Sequence, residues 1–178
     1  MIVTLFALML TSTYADTKQL KKAYFAGGCF WGVEYYLEGT KGVKDVLSGF
    51  MGGFKKDPTY REVVYTKTGH IETVEVLYDP AIVSFEALSK IFFEIHDFTQ
   101  VGGQGPDIGE RYESYLFYSS KDEKKIAQKL IAVLNKKGYE VATKLKETST
   151  FYSADAYHQN YYQKHQKVPY CHAYKKVF

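Results

Sequence analysis

Cysteine is scarce in this chain: the 178 residues contain two, Cys29 and Cys171. Two cysteines allow one disulfide at most, and neither they nor the five histidines show the spacing of metal ligands. Positive and negative charges nearly balance, because 23 basic and 20 acidic residues leave a net charge of +3. So small a charge does not favour nucleic acid or an anionic membrane as a partner.

The chain also lacks internal repeats, low-complexity stretches and any apolar run long enough to cross a bilayer. Hydrophobic residues make up 46% of the sequence and charged residues 24%, which argues against a disordered chain. Length and composition therefore predict one globular domain with a substantial hydrophobic core, which we place at residues 16–178.

The first 15 residues differ from the rest. Residues 2–10 are apolar and uncharged, and the small residues Thr13 and Ala15 suit cleavage after Ala15. This pattern predicts a signal peptide at residues 1–15 and export to the periplasm or the cell exterior. A typical signal peptide has a basic residue before its apolar run, and this chain has none there. If this segment is not cleaved, it is a buried N-terminal strand or helix of a cytoplasmic protein.

The segment 27–32, Gly-Gly-Cys-Phe-Trp-Gly, contains the first cysteine and the only tryptophan. A strand-like apolar run precedes it and a helical run follows, so Cys29 is predicted at the start of a helix. Backbone N–H groups and the helix dipole lower a thiol pKa there, and the preceding glycines leave the sulfur accessible. Phe30 and Trp31 are predicted to line an apolar pocket. The alternative is a glycine turn around a core cysteine.

A carboxyl group is predicted on the apolar face of a strand. Residues 72–78 alternate so that Glu72 shares a face with Val74, Val76 and Tyr78. Burial raises the pKa of a carboxyl, so Glu72 is predicted to stay protonated near neutral pH and to act as a general acid. The alternative is that Glu72 lies at the strand end and reaches water.

The second cysteine lies in a tail, residues 158–178, that contains four lysines, three histidines and no carboxylate. These positive charges predict that Cys171, which lies in an irregular loop, is also ionised to a thiolate. The two cysteines form either a structural disulfide or a catalytic pair that makes and breaks the same bond. The glycines and aromatic residues around Cys29 favour the catalytic pair.

The segment 27–32 resembles the Gly-Cys-Phe-Trp-Gly signature of the A-type peptide methionine sulfoxide reductases. The chain departs from the family pattern at Phe98, at Gly102 and Gly103, and at Glu113, which puts the peptide preference in question. The resemblance continues in Pro58-Thr59-Tyr60-Arg61-Glu62-Val63, Gly69-His70-Ile71-Glu72, Gln104-Gly105-Pro106-Asp107-Ile108-Gly109, Tyr112 and Phe151-Tyr152-Ser153-Ala154-Asp155-Ala156-Tyr157-His158-Gln159.

The fold is predicted to be α+β, with strands and helices in irregular alternation. The resemblance implies a two-layer mixed sheet with packed helices and a long C-terminal coil. Periodicity and capping residues predict strands at 43–49, 72–78, 114–118 and 141–147, and helices at 85–95 and 121–137. The segment 151–161, on its resemblance to the family, is expected to form a short helix that supports the site.

The resemblance implies that Cys29 attacks the sulfur of methionine S-sulfoxide, free or in proteins. It implies that the substrate methyl group lies against Phe30 and Trp31, and that Gly28 belongs to the same site. Glu72 would protonate the sulfoxide oxygen. By the same resemblance Tyr60 and Tyr112 would donate hydrogen bonds near the reacting oxygen, and Asp107 would help to hold the site.

The resemblance further implies that the sulfenic acid on Cys29 condenses with Cys171, and that a thioredoxin-like dithiol reduces the disulfide. The function is then the repair of oxidised proteins, by a monomer with no bound cofactor or metal. Two other hypotheses are a cysteine hydrolase that pairs Cys29 with His70 or His158, and a non-enzymatic module with a structural disulfide.

Overall fold

The structure is a computed structural model that describes residues 19–178. The predicted signal peptide at residues 1–15 lies outside the described residues, so that prediction and the boundary at residue 16 stay untested. Within residues 19–178, no helix has the length and apolar character needed to cross a membrane.

Six strands of the described chain form one mixed sheet, in the order β7-β6-β1-β3-β2-β8, and two short strands pair separately. Only β6 and β7 pair in parallel within that sheet. The strands are β1 Lys21–Gly27, β2 Val43–Met51, β3 Ile71–Tyr78, β4 Gly103–Gln104, β5 Asp107–Ile108, β6 Ser114–Tyr118, β7 Lys144–Glu147 and β8 Tyr152–Ser153. The helices are α1 Phe30–Glu38, α2 Tyr60–Tyr65, α3 Phe85–Glu94, α4 Lys121–Lys136 and α5 Tyr161–Lys164.

The sheet and its helices confirm the α+β prediction. Strand β3 lies between β1 and β2, and every residue of it except Leu77 is buried. Helix α3 packs its apolar stripe on this layer: Leu88 and Phe92 are fully buried, and the Phe92 ring lies 5.2 Å from that of Phe25 on β1. The core therefore lies between the sheet and its helices, and the turn after β1 starts at the edge of that core.

Side-chain caps set the helix starts that the sequence predicts. Thr59 caps α2 through a reciprocal pair of hydrogen bonds with Glu62, and Ser84 and Ser120 cap α3 and α4. These caps satisfy backbone N–H groups that have no partner inside the helix. The predicted helices at 85–95 and 121–137 are confirmed to within a residue.

Two predictions for the C-terminal third are wrong in detail. The strand at 141–147 is shorter, Lys144–Glu147, and it is followed by another strand, Tyr152–Ser153. Residues 156–160 form turns, so a helix starts only at Tyr161. Tertiary contacts explain the difference, because the Ser48 backbone of β2 binds the Gln159 amide and the Ala154 N–H.

The coil after α5 is held on the surface by one buried carboxylate, Glu94 at the end of α3. Its Oε1 accepts hydrogen bonds from the N–H groups of Val177 and Phe178, at 3.1 and 3.2 Å. Its Oε2 accepts a hydrogen bond from the Tyr174 hydroxyl at 3.0 Å. Because Cys171 lies three residues before Tyr174, these bonds also limit where the second thiol can go.

Replacing Glu94 with alanine should therefore lower the free energy of unfolding by roughly 2–4 kcal/mol, since three donors lose a charged acceptor. Glu86→Ala is the matched control on the same helix, because Glu86 forms a partly exposed ion pair with Lys90. We expect that control to change stability by less than about 1 kcal/mol. Urea denaturation measures both variants, and equal losses would contradict this account of the tail.

Candidate active site

Cys29 is the N-cap residue of α1, directly after β1. Gly28 has a φ of +96°, a conformation that side chains other than glycine rarely adopt, and it turns the chain from strand to helix. The nearby backbone N–H of Trp31 favours the thiolate and so acts to lower the pKa of the thiol. The strand-to-helix placement predicted from the sequence is correct.

The predicted accessibility and low pKa of Cys29 are wrong in this structure. The residue is 7% exposed. Burial is the largest influence and raises the pKa of the thiol well above its usual value, with smaller contributions from Glu72, Cys171 and Asp107. Desolvation of the thiolate outweighs the helix N-terminus, so the sulfur is a thiol at neutral pH.

Two side chains cover the turn that holds Cys29. A β-carbon on Gly28 would lie 2.5 Å from Gln104, and one on Gly32 would lie 2.2 Å from Nδ1 of His172. Both glycines therefore make room for neighbours rather than for solvent. The sequence shows the glycines but not the segments that fold over them.

Glu72 behaves as predicted. It lies on β3 opposite Phe50, is 2% exposed, and accepts a hydrogen bond from the Phe30 N–H at 3.1 Å. Burial raises its pKa to about 8, although the Phe30 N–H and Arg111 act in the opposite direction. The carboxyl is therefore protonated at neutral pH, and it is bonded to the residue after Cys29.

The two predicted tyrosines lie around this carboxyl. Tyr60 is the first residue of α2, and burial followed by the charge of Glu72 raises its pKa. The same two causes raise the pKa of Tyr112. Both phenols are therefore protonated and able to donate. The Arg111 guanidinium lies 4.6 Å from the centre of the Tyr112 ring.

The aromatic residues after Cys29 take different positions. Phe30 is 1% exposed and packs in the core, with ring centres 5.8 Å from Phe50 and 5.4 Å from His158. Trp31 is partly buried and stacks on Tyr161 at 3.6 Å, with 5° between the ring planes. Trp31 also borders a surface cavity of about 530 Å³, whereas Phe30 does not.

Three polar atoms here are buried without a hydrogen-bond partner among residues 19–178: Trp31 Nε1, His158 Nδ1 and Arg111 Nε. Buried polar groups normally have partners, so these three are available to a ligand. The sequence predicts no site role for Arg111 or Tyr161, and a role for His158 only as a hydrolase base. Two of these residues have a sequence signal, because Arg111 directly precedes Tyr112 and His158 lies in the stretch 151–159 that resembles the family. No sequence signal marks Tyr161.

Asp107 and Cys171 lie together on the other side of Cys29. The Tyr170 hydroxyl donates to both Asp107 carboxylate oxygens, at 3.2 and 3.1 Å. The prediction that Cys171 is a thiolate is wrong here. Burial, and next the negative charge of Asp107, raise the pKa of this thiol to about 12. The four lysines of the tail are exposed and contribute nothing to it.

The fold brings the two cysteines together. Both are free thiols, and Cys171 lies close enough for its charge to raise the pKa of Cys29. A β-carbon on Gly105 would lie 3.3 Å from the Cys171 β-carbon, so the second cysteine packs against the same loop that covers Gly28. Cys171 also borders a cavity of about 590 Å³ that opens to solvent. Residues separated by most of the chain thus form one thiol pair.

The hydrolase hypothesis finds little support. The Nδ1 of His70 accepts from the Gly53 N–H at 3.2 Å, and its Nε2 donates to the Lys55 carbonyl at 2.8 Å. Both ring nitrogens therefore hold a loop. Within the part of the chain that the structure describes, no histidine nitrogen is hydrogen-bonded to the Cys29 thiol, and no cluster of metal-ligating residues occurs. A nucleophile–base pair at Cys29 is not formed.

Comparison with known proteins identifies the family of this chain. Residues 21–178 match the family model described as peptide methionine sulfoxide reductase. The chain is 42% identical over 153 residues to the peptide methionine sulfoxide reductase MsrA of Sulfolobus acidocaldarius, covering 85% of this chain and 87% of that one. It is similar to Mxr1 from Saccharomyces cerevisiae in reduced form, with a TM-score of 0.82, 32% identity and coverage of 90% and 94%. Mxr1 in complex with Trx2 matches with a TM-score of 0.59, 24% identity and coverage of 93% and 96%.

The fold and the comparisons define an oxidoreductase. The chain belongs to the peptide methionine sulfoxide reductase family, and within it to the A type. The resemblance seen in the sequence is thereby confirmed, as is the prediction of a peptide-methionine (S)-S-oxide reductase. The hydrolase and the structural-disulfide module are not favoured.

The raised pKa of Glu72 has a consequence for stability. The folded carboxyl keeps its proton up to about pH 8, whereas the unfolded one loses it near pH 4.5. Between these values the native state binds more protons, so the free energy of unfolding must fall as the pH rises. Relative to Glu72→Gln, the wild type should lose up to about 1.4 kcal/mol per pH unit.

Urea denaturation at several pH values between 5 and 8 measures this difference. Glu140→Gln is the control, because Glu140 is exposed in a loop and its replacement should give a curve parallel to wild type. Parallel curves for Glu72→Gln as well would show that Glu72 is ionised in the native protein.

Proposed function

We propose that this protein repairs oxidised proteins by reducing the S epimer of methionine sulfoxide, free or in polypeptides, with Cys29 as nucleophile and Glu72 as proton donor. One observation carries the proposal: the Glu72 carboxyl, which is protonated at neutral pH, accepts a hydrogen bond at 3.1 Å from the N–H of Phe30, the residue after Cys29. Reduction of a sulfoxide needs both a nucleophile for sulfur and a proton for oxygen, and these two groups supply them.

In the first step the Cys29 sulfur attacks the sulfoxide sulfur while Glu72 protonates the oxygen. Tyr60 and Tyr112 are protonated and donate hydrogen bonds to that oxygen as its charge develops. The S–O bond of the sulfoxide and the new bond between the two sulfurs then break as the oxygen, with its proton, passes to the Cys29 sulfur. Methionine leaves with two more electrons on its sulfur, and Cys29 becomes a sulfenic acid. The proton of the Cys29 thiol balances the one that Glu72 gives, so the carboxyl ends the step as it began.

Entry of the substrate requires the covering segment to move. Because Cys29 is 7% exposed, a sulfoxide reaches its sulfur only when the loop that carries Gln104 shifts from the turn. The half-buried indole of Trp31 borders the cavity of about 530 Å³ and offers an apolar surface to the substrate methyl group. Phe30 supports that surface from the core.

In the second step Cys171 condenses with the sulfenic acid, and water leaves as the disulfide forms. An external dithiol of the thioredoxin type then reduces the disulfide, entering from the cavity of about 590 Å³ that Cys171 lines. The yeast relative has been solved in complex with Trx2. Asp107 holds the loop before Cys171 through Tyr170.

Cleavage of residues 1–15 would place this repair in an oxidising compartment, and the proposal includes that export. The support is the short apolar run followed by small residues at Thr13 and Ala15. N-terminal sequencing of the protein from its native host tests it, because export predicts a mature chain that begins at Asp16. A chain that retains residue 1 would contradict export without affecting the chemistry.

The roles of the two cysteines are separable by stoichiometry. With methionine S-sulfoxide and a thioredoxin system, Cys29→Ser should form no methionine, because the nucleophile is gone. Cys171→Ser should form one equivalent and then stop, because the sulfenic acid has no partner. Chromatography of the methionine formed per enzyme measures both. Full turnover by Cys171→Ser would overturn the second step, and the R epimer is the control substrate.

Loss of the proton donor should slow the first step without abolishing it. Glu72→Gln keeps an oxygen for the Phe30 N–H but cannot donate a carboxyl proton, so the rate of methionine formation should fall by roughly 100-fold or more. Tyr60→Phe should cost less, since Tyr112 remains. Tyr65→Phe, on the exposed end of α2, is the matched control and should keep the wild-type rate. A wild-type rate for Glu72→Gln in single-turnover measurements would contradict the assignment.

A further inference from the structure

His172 is a buried histidine with no part in the steps above. It follows Cys171, is 5% exposed, and its imidazole lies on the turn before α1. Its Nε2 is 2.7 Å from the carbonyl oxygen of Gly27, the last residue of β1. Its Nδ1 is 3.0 Å from the sulfur of Cys171.

These two contacts fix the tautomer. A carbonyl oxygen only accepts, so Nε2 must carry the proton and donate to Gly27. Burial lowers the pKa of His172 to about 4, so the ring is neutral and Nδ1 has a free lone pair. In the second contact the Cys171 thiol is therefore the donor and Nδ1 the acceptor, and the Asp107 carboxylate is a second acceptor within reach of the same S–H.

The chain makes room for this imidazole. A β-carbon on Gly32 would lie 2.2 Å from Nδ1 and 2.7 Å from Cε1 of His172, so glycine at position 32 admits the ring. The carbonyl of His172 also accepts a hydrogen bond from the Tyr36 hydroxyl at 3.4 Å. The ring is thus held between the end of β1 and the first turns of α1, on the element that starts with Cys29.

We propose that His172 is the general base of the second step: its Nδ1 removes the Cys171 proton as the Cys171 sulfur attacks the oxidised sulfur of Cys29. This inference rests on the proposed function, because the step needs a sulfenic acid on Cys29. A base is required there because the Cys171 pKa of about 12 leaves almost no thiolate at neutral pH. General-base removal of a proton during attack avoids forming that thiolate first.

The step balances. The S–H bond of Cys171 breaks and its proton passes to Nδ1, while its electron pair forms the bond to the Cys29 sulfur. The S–O bond of the sulfenic acid breaks, and its electron pair leaves with oxygen as hydroxide. The imidazolium then returns the proton to that hydroxide, which gives water and a neutral ring. Cys171 is oxidised, and the Cys29 sulfur is reduced from sulfenic acid to disulfide.

Other titratable groups act on this pair. The negative charge of Asp107 raises the pKa of His172, which favours the imidazolium formed during the step. The same charge opposes a free Cys171 thiolate, so it favours proton transfer to the ring over ionisation into solvent. The charges of the two residues also interact with a set of neighbouring titratable groups: Asp107, Glu72, Tyr162, Tyr170, Cys29 and His96.

Single-turnover chemistry without reductant separates the two steps. We would mix enzyme with a peptide that contains one methionine S-sulfoxide, and follow both methionine and the Cys29 sulfenic acid, trapped with dimedone and weighed by mass spectrometry. His172→Gln keeps an amide N–H for the Gly27 carbonyl but has no basic nitrogen. We expect one equivalent of methionine at the wild-type rate, and a sulfenic acid that persists at least about 100-fold longer.

The pH dependence distinguishes a base from a spacer. In His172→Gln, solvent hydroxide must replace the imidazole, so the rate of disulfide formation should rise about tenfold for each unit of pH. The wild-type rate should depend less steeply on pH. A sulfenic acid lifetime equal to wild type would overturn the proposal. A longer lifetime with the wild-type pH dependence would also overturn it, because His172 would then only position Cys171.

Two controls keep the result interpretable. His165→Gln makes the same change in the same tail at an exposed histidine, and it should leave both steps unchanged. Nitrogen-15 NMR of the wild-type imidazole needs no variant, and it should show a protonated Nε2 and an unprotonated Nδ1 at pH 7. The opposite tautomer would overturn the proposal. Failure of the wild type to form methionine would instead overturn the proposed function.

Discussion

The buried carboxyl of Glu72 is the constraint on which the rest of the site depends. Strand β3 places it in the interior, and the Phe30 N–H at the start of α1 is its hydrogen-bond partner. Burial outweighs the Arg111 charge and keeps the group protonated at neutral pH. One hydrogen bond thereby joins the proton donor to the turn that carries Cys29, so the sheet sets the distance between acid and nucleophile.

Burial keeps Glu72 protonated, and it also keeps both cysteines in the thiol form in the resting enzyme. Cys29 and Cys171 are covered by each other's segments, and desolvation raises both pKa values. A resting enzyme with protonated thiols is protected from unwanted oxidation, because the thiolate is the reactive form. Activation must then come from groups that accept or supply protons during each step. Glu72 serves the first step in our proposal, and His172 serves the second.

Several elements of the fold follow from local sequence. The alternation of residues 72–78 gives β3 and places Glu72 on its apolar face, and Ser84 and Ser120 start α3 and α4 as their capping positions predict. Patterns of short range suffice there because the governing interactions are short-range. The segment 151–161 failed as a helix because its backbone and Gln159 bind the distant strand β2, a contact that no local pattern encodes.

The sequence by itself determined the chemistry that is available: a cysteine at a strand-to-helix turn, a carboxyl on an apolar face, a second cysteine in an irregular tail, and a family signature. Only the tertiary structure decided the protonation states, because a pKa depends on burial and on charges that come from remote segments. It also decided which groups meet, since His172 reaches the Gly27 carbonyl across 145 positions of chain. Contacts of that range arise from packing, and packing is a property of the folded chain.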